Sequence, residues 1–272
     1  MRFLRAFAAL PALALIQPAV ADLDWGVIST TGDPDPITIF DLANPGGSNQ
    51  FFGNVDGNFN RSMDFDSRNS LYYYVSTDAL NDPGDRGLWH WDNGVNTQLF
   101  NVPFSDSGDG DGTLSNNLGR YFVTVDDGDG TSGDSVYVFD NLDGAVTFTE
   151  IGETGLSQII GLAMDPVSGD LYGYDSSTEA LYTISADDGT PTLVGASGMS
   201  FGAIGGMDFS ADGSTLLFTA AGDLYTVDKS NGSMISAGDV GLNASALSYR
   251  IPAPPAFVLL AAAGLIGRRR RR

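Results

Sequence analysis

The chain has 272 residues, 42% hydrophobic and 17% charged, with 34 acids against 13 bases and a formal net charge of −21. A surface this negative repels nucleic-acid phosphate, whose binding needs lysine and arginine, so no nucleic-acid partner is expected. The absence of cysteine excludes disulfides, thiolate metal sites and cysteine nucleophiles. Only Glu150, Glu153 and Glu179 are glutamates; the other acids are aspartates. Aspartate bonds nearby backbone N–H groups and favours turns. With 35 glycines, the composition suits many short strands joined by turns.

In chain order, residues 1–21 read as a secretory signal. Arg2 and Arg5 supply the positive start, Phe7 to Ile16 the apolar stretch, and Ala19-Val20-Ala21 the small-x-small site that signal peptidase cuts, here before Asp22.

Residues 22–250 carry an internal repeat. One phrase runs apolar, aromatic, any, apolar, Asp or Ser, then a turn ending in glycine. It stands at Leu88–Gly94, Val136–Gly144, Leu181–Gly189 and Leu224–Gly232, with starts 48, 45 and 43 residues apart, and a weaker copy, Ile37–Asp41, starts 51 residues earlier. A second phrase precedes most copies: Ser62-Met-Asp-Phe-Asp-Ser67, Gly161-Leu-Ala-Met-Asp165, Gly206-Met-Asp-Phe209, and a blurred version at Leu118–Val125. Local alternation, as in Leu224-Tyr-Thr-Val227, predicts strands, and the Asn-Gly and Asp-Gly pairs predict turns between them. A period of 43–51 residues with such strands predicts the blades of a β-propeller, all-β and about five in number. Leu247-Ser-Tyr249 resembles an opening strand without its partners, and Trp25 to Leu42 has partners without an opening strand. One blade assembled from both termini would close the ring and remove exposed edges. Tyr137, Tyr182 and Tyr225 hold equivalent places and are expected between blades. Trp91 is expected in the core, Trp89 partly exposed, and His90 on the opposite strand face.

Side chains suited to catalysis are scarce. His90 is the one histidine, no Gly-x-Ser-x-Gly elbow is present, and no glycine-rich phosphate loop has its strand and helix context. The clearest ligand signal is for calcium. Asp106-Ser-Gly-Asp109-Gly-Asp111 and Asp127-Gly-Asp129, running on to Asp134, place carboxylates two or three residues apart with glycines between. Such spacing lets side chains and carbonyls converge on a hard cation, although the closing glutamate of the twelve-residue calcium loop is missing from both. Metal candidates are therefore Asp106, Asp109, Asp111, Asp127, Asp129 and Asp134.

Residues 251–272 form a separate signal. Pro252-Ala253-Pro254 opens a proline cluster, the 17 residues from Ile251 to Gly267 carry no charge, and Arg268 to Arg272 follow. That length just spans a hydrocarbon core of about 30 Å, and the arginines favour a cytoplasmic end. Pro252, Ala253, Pro254, the apolar run and Arg268, Arg269 and Arg270 together resemble the sorting signal of the PEP-CTERM family of exported bacterial proteins. Ala253 stands where that family typically has glutamate. The resemblance covers about 22 residues and implies recognition by an exosortase, at least transient residence in the inner membrane of a Gram-negative-type cell, and a role at the surface or in the extracellular matrix. The expected function is structural or adhesive, without catalysis. A carbohydrate- or protein-binding module acting on extracellular polysaccharide or a surface protein, and a secreted lyase or hydrolase on the same scaffold, are the alternatives.

Overall fold

The computed structural model describes residues 25–250, apart from 31–34, 48–49, 56–59, 67–69, 76–85, 93, 104–110, 116–118, 127–132 and 203. The signal at 1–21 and the sorting segment at 251–272 lie outside the described residues. Among those described are twenty strands and no helix, hence no helix able to cross a membrane. The strands pair into five antiparallel four-stranded sheets, the blades of a five-bladed propeller. Blade 1 consists of β20 (Ala244–Arg250), β1 (Trp25–Thr30), β2 (Asp35–Asp41) and β3 (Gln50–Val55). Blade 2 holds β4 (Asn60–Phe65), β5 (Leu71–Val75), β6 (Gly87–Asp92) and β7 (Val95–Asn101). In blade 3 are β8 (Gly112–Ser115), β9 (Arg120–Val125), β10 (Ser135–Asp140) and β11 (Thr147–Glu153). Blade 4 comprises β12 (Ile159–Met164), β13 (Leu171–Asp175), β14 (Ala180–Ile184) and β15 (Pro191–Ala196). Blade 5 ends the series with β16 (Gly205–Phe209), β17 (Leu216–Ala220), β18 (Asp223–Val227) and β19 (Met234–Asp239).

The recurring phrase is the third strand of every blade, namely β2, β6, β10, β14 and β18. The ring closes as the open-ended phrases predict. β20 pairs with β1, setting Tyr249 opposite Gly26 and Leu247 opposite Ile28, and the inner strands touch in the order β20, β4, β8, β12, β16 and back to β20.

Period-two alternation explains why no blade can stand alone. On β5, Leu71, Tyr73 and Val75 face blade 1, joining Val27, Ile37 and Ala246, while Tyr72 and Tyr74 face blade 3, joining Tyr121, Val123 and Phe139. Further apolar clusters fill the seams of blades 3 and 4, 4 and 5, and 5 and 1. Each buried aromatic or aliphatic side chain stabilises the fold by about 1.5–3 kcal/mol, and only a neighbouring blade provides that burial. The expected tyrosines sit in these seams: Tyr137 joins the cluster of blades 2 and 3, Tyr225 that of blades 4 and 5, and Tyr182 packs partly buried against that of blades 3 and 4.

One local expectation needs correcting. The inner strand of blade 3 is β8, whose Gly112 and Thr113 extend the acidic run read as a calcium loop; with Leu114 its one large apolar residue, its alternation is faint. The Asp-Gly and Asn-Gly pairs of blades 4 and 5 lie in turns as expected, each a four-residue loop. Gly189 N–H donates to the Ser185 carbonyl and Ser185 N–H to that of Thr190, and Gly189 has φ +75.

A glycine contact locks the outer rim. Opposite Ile37, Val136, Leu181 and Leu224 stand Gly53, Gly152, Gly195 and Gly238, each beside a bulge in its outer pairing. A Cβ on Gly195 would fall on the Asn231 carbonyl in the turn of blade 5, and one on Gly152 on the Asp188 carbonyl in the turn of blade 4. Gly195→Ala should therefore cost about 1–3 kcal/mol by overpacking, whereas Gly202→Ala, with nothing within 4 Å, should be near neutral; chemical denaturation measures both. Deleting residues 25–42 removes β1 and β2 and should leave a chain that aggregates or lacks a cooperative melt, as read by calorimetry and size-exclusion chromatography.

Candidate functional site

The middle of the ring is polar. Tyr249, Phe65, Leu114, Met164 and Phe209 occupy matching registers on the five inner strands, opposite Gly26, Leu71, Tyr121, Leu171 and Leu216. The residues before them are Ser248, Asp64, Thr113, Ala163 and Asp208. Three of these accept an N–H from the next blade. Tyr249 N–H donates to Asp208 Oδ2 at 2.6 Å, Leu114 N–H to Asp64 Oδ2 at 2.7 Å, and Met164 N–H to Thr113 Oγ1 at 3.2 Å. Ala163 has no acceptor, and Asp111 supplies the missing link. Its Oδ2 receives Leu162 N–H at 2.9 Å and Met207 N–H at 3.0 Å, and its Oδ1 receives Gly112 N–H at 2.8 Å. Ser248 Oγ lies 3.3 Å from Asp64 Oδ1 and 3.2 Å from Asp208 Oδ2.

These carboxyl groups have left water. Burial pushes Asp64 up to about 6 despite the amides of Leu114 and Phe65 and the hydroxyls of Thr113 and Ser248. Burial also raises Asp111 well above the usual carboxylate range, against the amides of Leu162, Gly112 and Met207 and reinforced by the charge of Asp64. Asp208 is raised by burial and then by Asp64. The turn aspartates go the other way. Asp212 is held at about 2 by the side chain and amide of Ser214, and Asp228 is lowered by Ser230. Asp165, just after β12, is pushed up by burial, but Lys229 Nζ at 2.6 Å and the amides of Val167 and Ser168 bring it below its ordinary value.

Of the predicted metal residues, Asp106, Asp109, Asp127 and Asp129 lie outside the described residues. Asp111 and Asp134 are described, and both are buried. Asp111 belongs to the central network above. Asp134 Oδ2 accepts Ile159 N–H at 2.6 Å, and its carbonyl accepts Thr154 N–H, so it fastens blade 3 to the connection entering blade 4. Among the described residues no group of three or more His, Asp or Glu is placed to hold a metal ion. Asp64 and Asp208 were not singled out by sequence reasoning. Their signal was an acid set between Met and Phe in the two phrases that open blades 2 and 5.

The second feature is a cleft of about 510 Å³ between blades 2 and 3, bordered by Tyr72, His90, Asp92, Leu99, Leu142 and Asp143. In blade 2 the locking glycine is replaced by Phe100, opposite Leu88. Its ring packs on Phe139 and Phe148 at 5.8 and 5.6 Å. The cleft opens at this seam, beside the blade 3 turn. His90 packs on Tyr72 with centroids 4.8 Å apart and the ring planes tilted by 38°. Trp89 and Trp91 point to the opposite face, as the alternation predicts, and pack against the blade 1–2 cluster; Trp91, expected in the core, is only partly buried, like Trp89. The cleft combines an aromatic and leucine wall with two carboxylates, a lining that suits a polyhydroxyl or basic group.

No protein-family model and no curated protein matches the chain. Solved structures do. A chain from the crystal structure of a nidogen/laminin complex aligns at TM-score 0.54 and 15% identity, covering 83% of this chain and 98% of that one. A Bacteroides thetaiotaomicron protein of unknown function aligns at TM-score 0.46 and 13% identity, covering 79% and 64%. At such identities the first likeness speaks for the propeller fold alone.

Proposed function

We propose that this chain is an exported protein, held at the cell surface or released from it, that acts by presenting its propeller to a partner rather than by catalysis. The observation that best supports this is where the chain leaves the ring. β20 is the innermost strand of its blade, and Arg250 lies where the other inner strands enter their first turn, such as 210–215 after β16. The proline cluster, apolar stretch and arginines therefore start from the middle of the turn face. An anchored ring would lie with its turns toward the membrane. The opposite face, toward which β7, β9 and β15 run, would point outward.

A structural or adhesive role follows from an acidic, disulfide-free body carried on such a segment. The reading as a protein- or carbohydrate-binding module has its own support in the cleft between blades 2 and 3. The similar fold in a nidogen/laminin complex is in keeping with partner binding. Calcium binding would have to draw on Asp106, Asp109, Asp127 and Asp129, since Asp111 and Asp134 serve backbone amides.

Fractionation of cells expressing the full chain should place it outside the inner membrane; recovery from the cytoplasm would refute export. Because the chain has no cysteine, introduced thiols report orientation cleanly. In intact cells a bulky impermeant maleimide should label Ser200→Cys, on the outward face, at least several-fold faster than Val167→Cys, on a turn, with the two rates converging after detergent release. Equal rates before release would contradict the orientation. For calcium, the melting temperature should be higher in millimolar Ca²⁺ than in chelator, because a ligand of the native state adds stability by linkage; identical melts would remove the metal.

A further inference from the structure

We infer that Asp64 and Asp208 hold one proton between them across Ser248, and that this proton latches β20, the strand that closes the ring. Ser248 Oγ has a single hydrogen, yet it lies 3.3 Å from Asp64 Oδ1 and 3.2 Å from Asp208 Oδ2. It can donate to one of them. With both acids ionised, the other oxygen faces a hydroxyl lone pair and a second buried carboxylate. One added proton turns the repulsive trio into a chain in which a carboxylic acid donates to Ser248 and Ser248 donates to a carboxylate. The other oxygens are already in use. Asp208 Oδ1 takes Phe209 N–H, Asp208 Oδ2 also takes Tyr249 N–H, and Asp64 Oδ2 takes Leu114 N–H and the Thr113 hydroxyl.

Among the described residues, the groups that shift Asp64 and Asp208 are an acid, hydroxyls and backbone amides and include no cation; Arg61 stands on β4 and Arg250 on β20. The titratable groups that interact with these acids are Asp111, before β8, which the charge of Asp64 raises further, and Tyr121 on β9, whose hydroxyl lies 2.6 Å from Ser62 Oγ. The described residues of β1, β5, β12 and β17 carry no charged side chain. Asp64 and Asp208 come from β4 and β16, on either side of β20, so two ionised carboxylates would push those strands apart across it. Both acids are raised by burial, and as an interacting pair they titrate as a unit.

The sign of the pH effect follows. A carboxyl raised in the folded state contributes stability that is fully present below its unfolded value, about 4, and is lost as pH rises through the folded value, about 6 for Asp64. The turn aspartates, typified by Asp212 at about 2, contribute stability above the unfolded value that is lost only in stronger acid.

The full chain, melted in moderate salt to screen surface repulsion, should lose about 5–10 °C in Tm between pH 5 and pH 8. Asp208→Asn removes one of the two titrating carboxyls, gives up the acceptor of either the Tyr249 or the Phe209 amide, and should reduce that loss. A variant that melts with the parent's pH dependence would overturn the latch. The unaltered chain provides a second measurement that needs no variant to fold. Its infrared spectrum at pH 6 should contain a protonated-carboxyl C=O band that disappears on titration to pH 9. Absence of that band at pH 6 would overturn the shared proton.

Discussion

Five short sheets stay in a ring here because side chains of one inner strand bond to the backbone of the next. Asp208, Asp64 and Thr113 each accept an amide one blade on, and Asp111 serves two further blades at once. The apolar seams supply most of the gross stabilisation, but they are non-directional and would tolerate some sliding of one blade on another. The amide contacts are directional and buried, so leaving any of them unmade costs about 1–3 kcal/mol. They fix the height of blades 2 to 5 and of β20 against blade 5, while Ser248 reaches Asp64 across the remaining seam, and together they make the last strand fit the first.

The same residue type is used in opposite ways. On the rim, aspartates cap turns, stay ionised and give the surface its negative field. In the middle, aspartates lose water, gain amides and are pushed toward the neutral form. One composition thus contains both the solubilising charge and the ring's internal fastening. Where a cation is present, as Lys229 beside Asp165, the buried acid is instead held ionised.

Much of the fold was legible because its causes are local. Strands such as Leu71-Tyr-Tyr-Tyr-Val75 alternate clearly, their turns carry glycine, and a phrase missing from one end was found at the other. The strand β8 was less legible, since Gly112-Thr-Leu-Ser115 has little hydrophobic pattern and follows an aspartate-rich run. Asp111 was assigned to a calcium loop because spacing says which acids are near in sequence, not which way each one turns. Phe100 and its cleft were hidden for a related reason: the position becomes informative only when set beside Gly53, Gly152, Gly195 and Gly238, which requires the strand register.

Native-state hydrogen exchange at pH 5 tests the closed ring most directly. If β20 is fastened on both sides as described, the amides of Leu247 and Tyr249 should exchange only with global unfolding, at the same free energy as those of Leu114, Leu162 and Met207. A β20 that opens several kcal/mol below the other inner strands would mean that the ring is held by its seams alone.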